Sequence, residues 1–449
     1  MSFISGVEGG RSGDFTRVLG PANSGLRPLT AGTSPSNALM LGELVMKPIQ
    51  TILRSPWATP ERLALQAQAR EFAREVVLPI ADALDPLKAQ MPASLVAALA
   101  GHGWFGLTVP VEHGGMGLGV FEYCLVAEEL AGAWLSVASI LARGQGLGTQ
   151  VLDEARKREL LARSAKGDWI GSIALSEPAA GSDLAAVQTR AVRDGDGWLL
   201  TGHKRWAGNA LAADFIEVLA RTREPLPGES RSAGLQPFLV VKERGVFPAG
   251  MTGQAIDKIG YHGFLTWDLV LDGVRVPDAD RLTGLYADEG AAADVGDFAS
   301  VQRWLAIARV HTAARSVGVA RAAVEDCTAY LQEREQFGRP IGDFQALRFM
   351  LADMAAEVDQ ARAYWQQVAH LVDEGVPCDR EAAMVKLLAA EMAVKVTGQA
   401  MQLHGGNGYT TERRVERYWR DARLTTIFEG TSEIQRRIIS DAMLPRAAG

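Results

Sequence analysis

Apolar side chains follow two different spacings along this chain, and the order of those spacings limits its fold more than any other feature. Between residues 347 and 368 they recur every three or four positions, at Leu347, Leu351, Met354, Val358, Ala361, Trp365 and Val368. A helix with one such face must bury it, and a bundle of helices is the usual way to do so. We therefore expect a C-terminal helical bundle over residues 298–449.

The same helical spacing occurs nearer the start of the chain. Thr59 and Pro60 provide an N-cap and a first-turn proline. One apolar face follows at Leu65, Ala69, Phe72 and Val76. We expect Pro79 to end this helix, because proline lacks the N–H that a helix interior needs. Further helical segments, interrupted by a loop at residues 108–119, predict an N-terminal α-helical domain over residues 57–169.

The middle of the chain has strand-like patterns instead. Short β-type runs, separated by Gly, Pro and charged turns, cover residues 197–208, 214–222, 237–243 and 264–277. No helical pattern alternates with them, which favours antiparallel pairing over a βαβ sheet. We expect a small antiparallel β domain over residues 170–285, so the fold class is α+β with the order α, β, α.

Residues 1–56 are rich in Gly, Ser, Pro and Thr and contain one short apolar piece at residues 39–46. They predict a flexible N-terminal arm whose apolar part docks on the rest of the protein. A transit peptide is disfavoured because Glu8 and Asp14 interrupt the composition that such peptides need.

Charge and composition exclude several classes of protein. A net charge of −7 gives no electrostatic reason to expect a nucleic acid as partner. No apolar run approaches the ~20 residues that span a bilayer, so no membrane insertion is expected. The histidines and the three cysteines lack ligand spacing, so we expect no metal site. The odd, scattered cysteines fit a reducing compartment, and we expect a cytoplasmic location.

Residues 428–436, FEGTSEIQR, place one carboxylate, Glu429, between an aromatic residue and a Gly-Thr pair. One interpretation is a solvated surface glutamate, since glutamate is rarely buried unless paired. The other is a general base, because a partly desolvated carboxylate can remove a proton from carbon. These nine residues do not decide between the two.

Glycine-rich turns at residues 114–119, 144–148 and 405–408 do not fit G-x-G-x-x-G and do not lie between a strand and a helix. A Rossmann or P-loop site is therefore excluded on spacing. Residues 174–191 are either a polar turn or a set of hydroxyl and backbone donors for a ring edge or pyrophosphate. Trp206 is either a core aromatic or a flat wall against a planar cofactor.

Arg334 and Arg339, around the turn Phe337-Gly338, are either an anion clamp or members of surface ion pairs. Residues 402–409, QLHGGNGY, place the Gln402 amide beside exposed backbone. Arg143 is either a partner for a substrate carboxylate or part of a surface or structural ion pair.

Taken together, these stretches resemble the acyl-CoA dehydrogenase family of flavoproteins. The resemblance covers residues 60–445 and rests on five motifs in register, GWFGLTVPVEHGGMGLG at 103–119, ALSEPAAGSD at 174–183, REQFGRPIGDFQ at 334–345, QLHGGNGY at 402–409 and FEGTSEIQ at 428–435. It implies a helical domain, a β-barrel-like middle domain, a C-terminal four-helix bundle, FAD as cofactor and a homodimer or homotetramer.

The resemblance also implies roles for individual residues. The flavin ring would be lined by Ala174, Leu175, Ser176 and Trp206, and pyrophosphate and adenine would be held by Arg334, Gln336 and Phe337. A neighbouring subunit would contribute Gln402, Gly405 and Gly406, and Thr431 would meet the FAD. The acyl-CoA would be faced by Ser182, Arg309 and Gly430.

In such an enzyme Glu429 would remove the α-proton of the thioester while the β-hydrogen leaves as hydride to flavin N5, giving a trans-2-enoyl-CoA. The thioester oxygen would be bound by a ribityl hydroxyl and the backbone N–H of Glu429. Closing the site on the acyl chain would raise the pKa of Glu429. An electron-transfer flavoprotein would accept the electrons. Some branches carry the base just before the arginine matched by Arg309, but Ala308 stands there in this chain.

One departure from the family pattern leaves alternatives open. Residues 204–209, KRWAGN, place Gly208 where a hydroxyl usually bonds flavin N5. A flavin oxidase or monooxygenase, or an enzyme for acyl groups on a carrier protein, therefore stays open beside the dehydrogenase. A non-catalytic binding subunit is a third possibility, which the retention of Glu429 disfavours.

Overall fold

The computed structural model of the protein describes residues 55–149, 153–282 and 298–444, with side chains described from residue 305 in the last range. Helices, then a curled sheet, then helices follow one another along the chain, which confirms the predicted α+β order. The ranges 57–169, 170–285 and 298–449 stay predictions as domain boundaries. The predicted arm, residues 1–56, lies outside the described residues except for its last two positions.

The N-terminal group consists of helices packed around a buried central helix. Its members are α1 (Pro60–Phe72), α2 (Leu78–Leu84), α3 (Ala93–Gly101), α4 (Val120–Ala133), α5 (Leu135–Leu141) and α6 (Glu154–Ala165). The Thr59 side chain accepts a hydrogen bond from the Arg62 backbone N–H, so the predicted N-cap is confirmed. Within α4 every residue except Glu122 is buried, because this helix packs against both α1 and a long C-terminal helix.

The prediction that Pro79 ends the first helix is wrong. Beyond α1 the chain makes a π-helical turn at Ala73–Val77 and continues as α2 to Leu84. A proline inside a helix offers no N–H to the carbonyl four residues earlier and crowds it with its ring. The wider π turn just before Pro79 accommodates both effects, so the helix continues.

The middle group forms one curled seven-stranded sheet in the order β1-β4-β2-β3-β7-β6, with β5 paired to β4. The strands are β1 (Gly171–Ala174), β2 (Arg190–Asp194), β3 (Gly197–Gly208), β4 (Phe215–Arg221), β5 (Leu235–Val241), β6 (Met251–Ala255) and β7 (Thr266–Pro277). The prediction of antiparallel pairing holds for β2–β3, β3–β7, β4–β5 and β6–β7. It fails for β4, which pairs parallel to both β1 and β2, because the connections between these strands cross over instead of forming hairpins.

Strand β3 is irregular near its end. The register with β7 shifts between Lys204 and Ala207, and Trp206 has the left-handed φ of +68°. Such a bulge re-aims one side chain of a strand. Here it turns Trp206 out of the sheet.

The C-terminal group contains α7 (Phe298–Glu333), α8 (Gln345–Asp373), α9 (Asp379–His404), α10 (Val415–Thr425) and α11 (Ser432–Met443). A short hairpin joins α7 to α8, and each of its strands, β8 (Glu335–Gln336) and β9 (Arg339–Pro340), has two residues. The predicted stripe of α8 is buried from Met354 to Val368 and partly buried at Leu347 and Leu351. Helix α7 packs on α4 as well as α9, so one core joins both helical groups.

Candidate functional site

Glu429 lies in the loop that reverses the chain between α10 and α11. Its backbone has a φ of +52° and that of Gly430 a φ of +86°, both in the left-handed region. Lys386 donates to the Gly430 carbonyl at 2.6 Å, and the Gln435 amide donates to the same oxygen at 3.0 Å. A Cβ at position 430 would stand 2.5 Å from the Gln435 amide nitrogen. A non-glycine residue in this conformation costs energy, which the surrounding contacts must supply.

The Glu429 carboxylate is held by two side chains of α7. Thr312 donates its hydroxyl to one oxygen at 2.8 Å, and Arg315 donates to the other at 3.0 Å. Arg315 is 1% exposed and also donates to Ser139 of α5 at 2.7 Å. The Glu429 side chain is 29% exposed, so the carboxylate lies at the wall of an opening.

These partners determine the protonation state of the carboxylate. Burial by itself raises the pKa of Glu429, but the charge of Arg315, the Thr312 hydrogen bond and the charge of Arg143 outweigh it. The pKa of Glu429 therefore lies below its usual value, and the group is ionised at neutral pH. A raised pKa was expected once an acyl chain closes the site. In the substrate-free protein the direction is the opposite, because of Arg315.

Aromatic rings surround this carboxylate. The Arg315 guanidinium lies 4.9 Å from the centre of the Phe428 ring, and Tyr261 packs edge-on against that ring at 6.1 Å. Tyr261 in turn contacts Phe264 at 5.2 Å. An ionised base in such a low-dielectric setting is more reactive than one in bulk water.

The backbone N–H of Glu429 donates no hydrogen bond to any residue that the structure describes. It is therefore available to bind an oxygen of a substrate, as the sequence motif predicts. This availability follows from the left-handed turn, which removes the N–H from the helical pattern of α10.

Sequence reasoning missed four residues that hold this loop, namely Thr312, Arg315, Lys386 and Gln435. Each is a buried polar residue on a helix, and Arg315 and Lys386 are among the largest fully buried side chains. A charge on the buried face of a long helix is the signal that could have identified two of them.

The residues predicted to line a flavin ring lie at the end of β1 and on the bulge of β3. Ala174 is buried, whereas Leu175 and Ser176 are partly exposed. The buried Lys204 donates to the Leu175 carbonyl at 2.9 Å and pairs with Glu177, which fixes this turn. Trp206, just beyond, is 53% exposed and is therefore not a core aromatic.

The residues predicted to hold pyrophosphate and adenine lie at the far ends of α7 and α9. Arg334, Gln336 and Phe337 are exposed in the β8–β9 hairpin, and the Phe337 side chain is 93% exposed. Gln402, Gly405 and Gly406 are exposed at the end of α9, and no atom lies within 4 Å of a Cβ built at either glycine.

Tyr330, another residue that the sequence did not single out, joins the ends of these two helices. Its ring stacks on His404 at 4.1 Å, and its hydroxyl accepts a hydrogen bond from Asn407 at 2.9 Å. The two motifs therefore meet at one end of the helical group. Within the described residues no hydrogen bond or ring contact joins them to Trp206.

These residues fit a flavin dinucleotide. Exposed apolar rings are normally covered by a ligand or a partner when they belong to a binding site. Trp206 offers one face to a planar ring, the Arg334 fork suits phosphate oxygens, and the open backbone at Gly405 and Gly406 admits close approach.

The remaining predicted residues have partners of their own. Arg309 pairs with Asp379 at 3.2 Å, and Ser182 is exposed. The Thr431 hydroxyl accepts a hydrogen bond from the Ile434 N–H at 3.3 Å and so caps α11. The same hydroxyl also interacts with the Glu433 carboxylate, whose pKa it helps to lower.

The structure explains the departure at Gly208. A Cβ at this position would overlap the Phe264 ring, which fills the space that a longer side chain would need. The missing hydroxyl is therefore linked to the packing of Phe264. A serine or threonine cannot enter unless that ring moves.

Comparisons with known proteins show which family the chain belongs to. Three family models match in succession, the acyl-CoA dehydrogenase N-terminal domain at residues 59–168, the middle domain at 172–274 and the C-terminal domain at 298–444. The chain belongs to the acyl-CoA dehydrogenase family. It is thus an oxidoreductase that acts on acyl-CoA and uses FAD.

Individual relatives cover most of the chain. It is 35% identical to (2S)-methylsuccinyl-CoA dehydrogenase of Cereibacter sphaeroides over 98% of this chain and 80% of the relative. Butyryl-CoA dehydrogenase of Megasphaera elsdenii is 31% identical, with a TM-score of 0.77 over 86% of this chain and 99% of that chain. A chain from a structure described as electron transferring flavoprotein of Acidaminococcus fermentans is 33% identical, with a TM-score of 0.78 over 87% of this chain and 99% of that chain.

Among the helices that the structure describes, none has the length and apolar character needed to cross a bilayer. In the same residues, no three His, Cys, Asp or Glu side chains lie together in a way that could hold a metal ion.

Proposed function

We propose that this acyl-CoA dehydrogenase forms a trans-2-enoyl-CoA by α,β-dehydrogenation with Glu429 as the base. One observation carries the proposal. The Glu429 carboxylate is ionised and fixed by Thr312 and Arg315, while its backbone N–H is left without a partner among the described residues. A base and an adjacent donor on one residue suit proton removal next to a carbonyl.

The side chains divide the work as follows. Glu429 accepts the α-proton, and its backbone N–H binds the thioester oxygen on which charge develops, which is typically worth ~3 kcal/mol. Arg315 and Thr312 orient the carboxylate, and Lys386 and Gln435 hold the turn that presents it. FAD, when bound, accepts the β-hydrogen as hydride.

An acyl chain that covers the opening would also displace water from the carboxylate. The ionised form of Glu429 then loses solvation, and its affinity for a proton rises. We therefore expect the pKa of Glu429 to rise when substrate binds, although it is lowered in the substrate-free protein.

The remaining roles follow the family motifs. We propose that the flavin ring is lined by Ala174, Leu175, Ser176 and Trp206, and that pyrophosphate and adenine are held by Arg334, Gln336 and Phe337. In a homodimer or homotetramer the neighbouring subunit contributes Gln402, Gly405 and Gly406. Thr431 makes a further contact with the FAD. The acyl-CoA is assigned to Ser182, Arg309 and Gly430. Exposure of Trp206, Phe337 and the two glycines supports the FAD assignment.

We take an electron-transfer flavoprotein as the acceptor and a cytoplasmic location as part of the proposal. The acceptor is supported by the structural similarity to the chain from Acidaminococcus fermentans. One relative is named for methylsuccinyl-CoA, a thioester that carries a second carboxyl group. Another is named for butyryl-CoA, a short-chain thioester without one.

The test is anaerobic titration of the purified holoenzyme with a panel of acyl-CoAs, followed by the flavin absorbance. The flavin absorbance of the wild-type enzyme should decrease with at least one thioester. Glu429→Gln should slow bleaching by about 10²- to 10⁴-fold, the usual contribution of a general base, while it keeps FAD. Glu433→Gln, an exposed carboxyl in the first turn of α11, is the matched control. Equal rates in wild type and Glu429→Gln would exclude Glu429 as the base.

The second candidate function, a flavin oxidase, is favoured by Gly208 alone, which carries no hydroxyl. It predicts fast reoxidation of the reduced enzyme in air. Slow reoxidation in air, together with fast reoxidation by an electron-transfer flavoprotein, would exclude it.

A further inference from the structure

Arg143 lies where the N-terminal helices meet the sheet. Its N–H donates to the Ile140 carbonyl at the end of α5, and its carbonyl accepts from the Gly171 N–H of β1 at 2.8 Å. These two bonds fix the backbone on both sides. The guanidinium lies 5.6 Å from the centre of the Phe264 ring, so its position is set by an aromatic face.

The Arg143 side chain forms no ion pair or hydrogen bond with the residues that the structure describes, and its Nε is buried. Arg143 is itself partly exposed, whereas the buried Arg315, Arg321 and Arg362 each pair with a carboxylate within 3.1 Å. Burying one guanidinium nitrogen without a hydrogen-bond partner or counter-ion has an energetic cost. A surface or structural ion pair, one of the two interpretations of the sequence, is therefore absent from the described part of the chain.

Arg143 interacts electrostatically with two carboxyl groups, and neither of them fully neutralises its charge. Glu429 is already paired with Arg315. Glu217 of β4 is 2% exposed, and burial raises its pKa to about 7 although Arg143 opposes this. One Glu217 oxygen has no hydrogen-bond partner among the described residues. A carboxyl group with this pKa is only about half ionised at neutral pH, so it compensates the positive charge of Arg143 incompletely.

A chain of aromatic contacts connects the same cation to the base. Phe264, beneath Arg143, contacts Tyr261, which packs on Phe428 next to Glu429. Arg143 also acts on Glu429 electrostatically. The ring of Phe264 occupies the space left by Gly208, so the departure at that position and the support of Arg143 belong together.

We propose that Arg143 binds a carboxylate carried by the acyl group, so that the substrate is the CoA thioester of a dicarboxylic acid. This inference rests on the proposed dehydrogenation. A guanidinium fork matches a carboxylate with two parallel hydrogen bonds, and the partnerless Nε is one member of such a fork. The carboxylate replaces the missing counter-ion, which is what favours a charged acyl group over a neutral one of the same shape.

The test compares matched thioesters on the FAD-loaded protein. Anaerobic flavin reduction is measured with glutaryl-CoA and methylsuccinyl-CoA, and with their terminal amides, which have the same size without the charge. Wild type should favour a carboxylate over its amide by about 10- to 100-fold in kcat/KM, as expected for hydrogen bonds to a charged group. Arg143→Met should remove this preference by slowing only the carboxylate, Arg143→Lys should keep part of it, and Glu217→Gln should keep it.

The ratio of the two substrates on one preparation separates recognition from stability, because a folding defect lowers both rates together. Equal rates with carboxylate and amide in wild type would overturn the inference, and so would an unchanged ratio in Arg143→Met. Reduction by neutral thioesters alone would overturn this inference and leave the dehydrogenation intact. No reduction by any thioester, with FAD bound, would refute the dehydrogenation and this inference with it.

Discussion

Replacing Arg315 by glutamine tests the electrostatics of the site directly. The guanidinium donates to the Glu429 carboxylate at 3.0 Å from a position that is 1% exposed. A hydrogen bond to a charged group contributes ~1.5–3 kcal/mol, and every ~1.4 kcal/mol changes a protonation equilibrium tenfold. Glutamine at this position should therefore shift the proton affinity of Glu429 upward by about 10- to 100-fold.

The assay is the pH profile of kcat/KM, whose acid limb reports the base of the free enzyme. Arg315 stabilises the ionised form and lowers the pKa of Glu429, so its loss raises that pKa and moves the acid limb to higher pH. Thr312 and Arg143 still favour the ionised form in the variant. Tyr123, Tyr261 and Lys386 also interact with Glu429 and are unchanged.

The free energy of unfolding should also depend on the ionised form of Glu429. A carboxyl whose pKa is lowered on folding contributes stability above its unfolded pKa, and this is lost as the pH falls through the folded value. The difference in Tm between wild type and Arg315→Gln should therefore be largest at neutral pH and narrow in acid.

Arg321→Gln is the matched control for both measurements. It also removes a buried arginine of α7, but one that pairs with Glu129 at 2.8 Å and not with Glu429. It should lower Tm without moving the acid limb. An acid limb that stays in place in Arg315→Gln, or that moves to lower pH, would refute the assignment of Glu429 as the base held by Arg315.

Three further variants test the packing and the cofactor site. Gly208→Ser should lower the free energy of unfolding by ~1–3 kcal/mol because its Cβ overlaps Phe264, and adding Phe264→Leu should restore part of the loss in a denaturant titration. Lys386→Met should leave the Gly430 carbonyl without its shortest donor, lowering stability by ~1–3 kcal/mol and reducing kcat/KM. Trp206→Ala should weaken FAD binding by about 2- to 10-fold, measured as flavin absorbance per protein after dialysis.

Lys386→Met and Trp206→Ala each have a control on the surface of the same helix or sheet. Lys395→Met removes an exposed ion pair of α9 and should leave kcat/KM unchanged, whereas a similar loss in both lysine variants would argue against a role for the Gly430 contact. Val192→Ala truncates an exposed side chain of the same sheet, and FAD loss equal to that of Trp206→Ala would exclude a specific contact. If Gly208→Ser is as stable as wild type, Phe264 does not fill the space as described.

The local elements of the fold were predictable because each follows from neighbouring residues. The Thr59 cap, the buried stripe of α8 and the strand at residues 197–208 depend on spacing within one element. The prediction that the first helix ends at Pro79 was wrong because the compensating π turn is a backbone adjustment that no residue type specifies. The parallel pairing of β1 with β4 was missed because two strands that are not consecutive in the chain form it.

The candidate site divides in the same way. Sequence motifs were sufficient to identify the family and to propose Glu429, and the family is confirmed by all three domain models. They did not indicate what the carboxylate would touch. Arg315 is 114 residues away and Thr312 is 117 residues away, and no local pattern relates residues at such separations.

The sequence by itself determined the order of the three groups, the helical and strand periods and the motifs of the site, because these depend on residue type and short-range spacing. Tertiary structure decided which charges meet. Packing α5 and α7 against the loop after α10 pairs Glu429 with Arg315. The Arg143 guanidinium lies over Phe264, which fills the space at Gly208, and has no carboxylate partner among the described residues. The energy of a buried charge depends on its neighbours in space, and only the folded chain defines them.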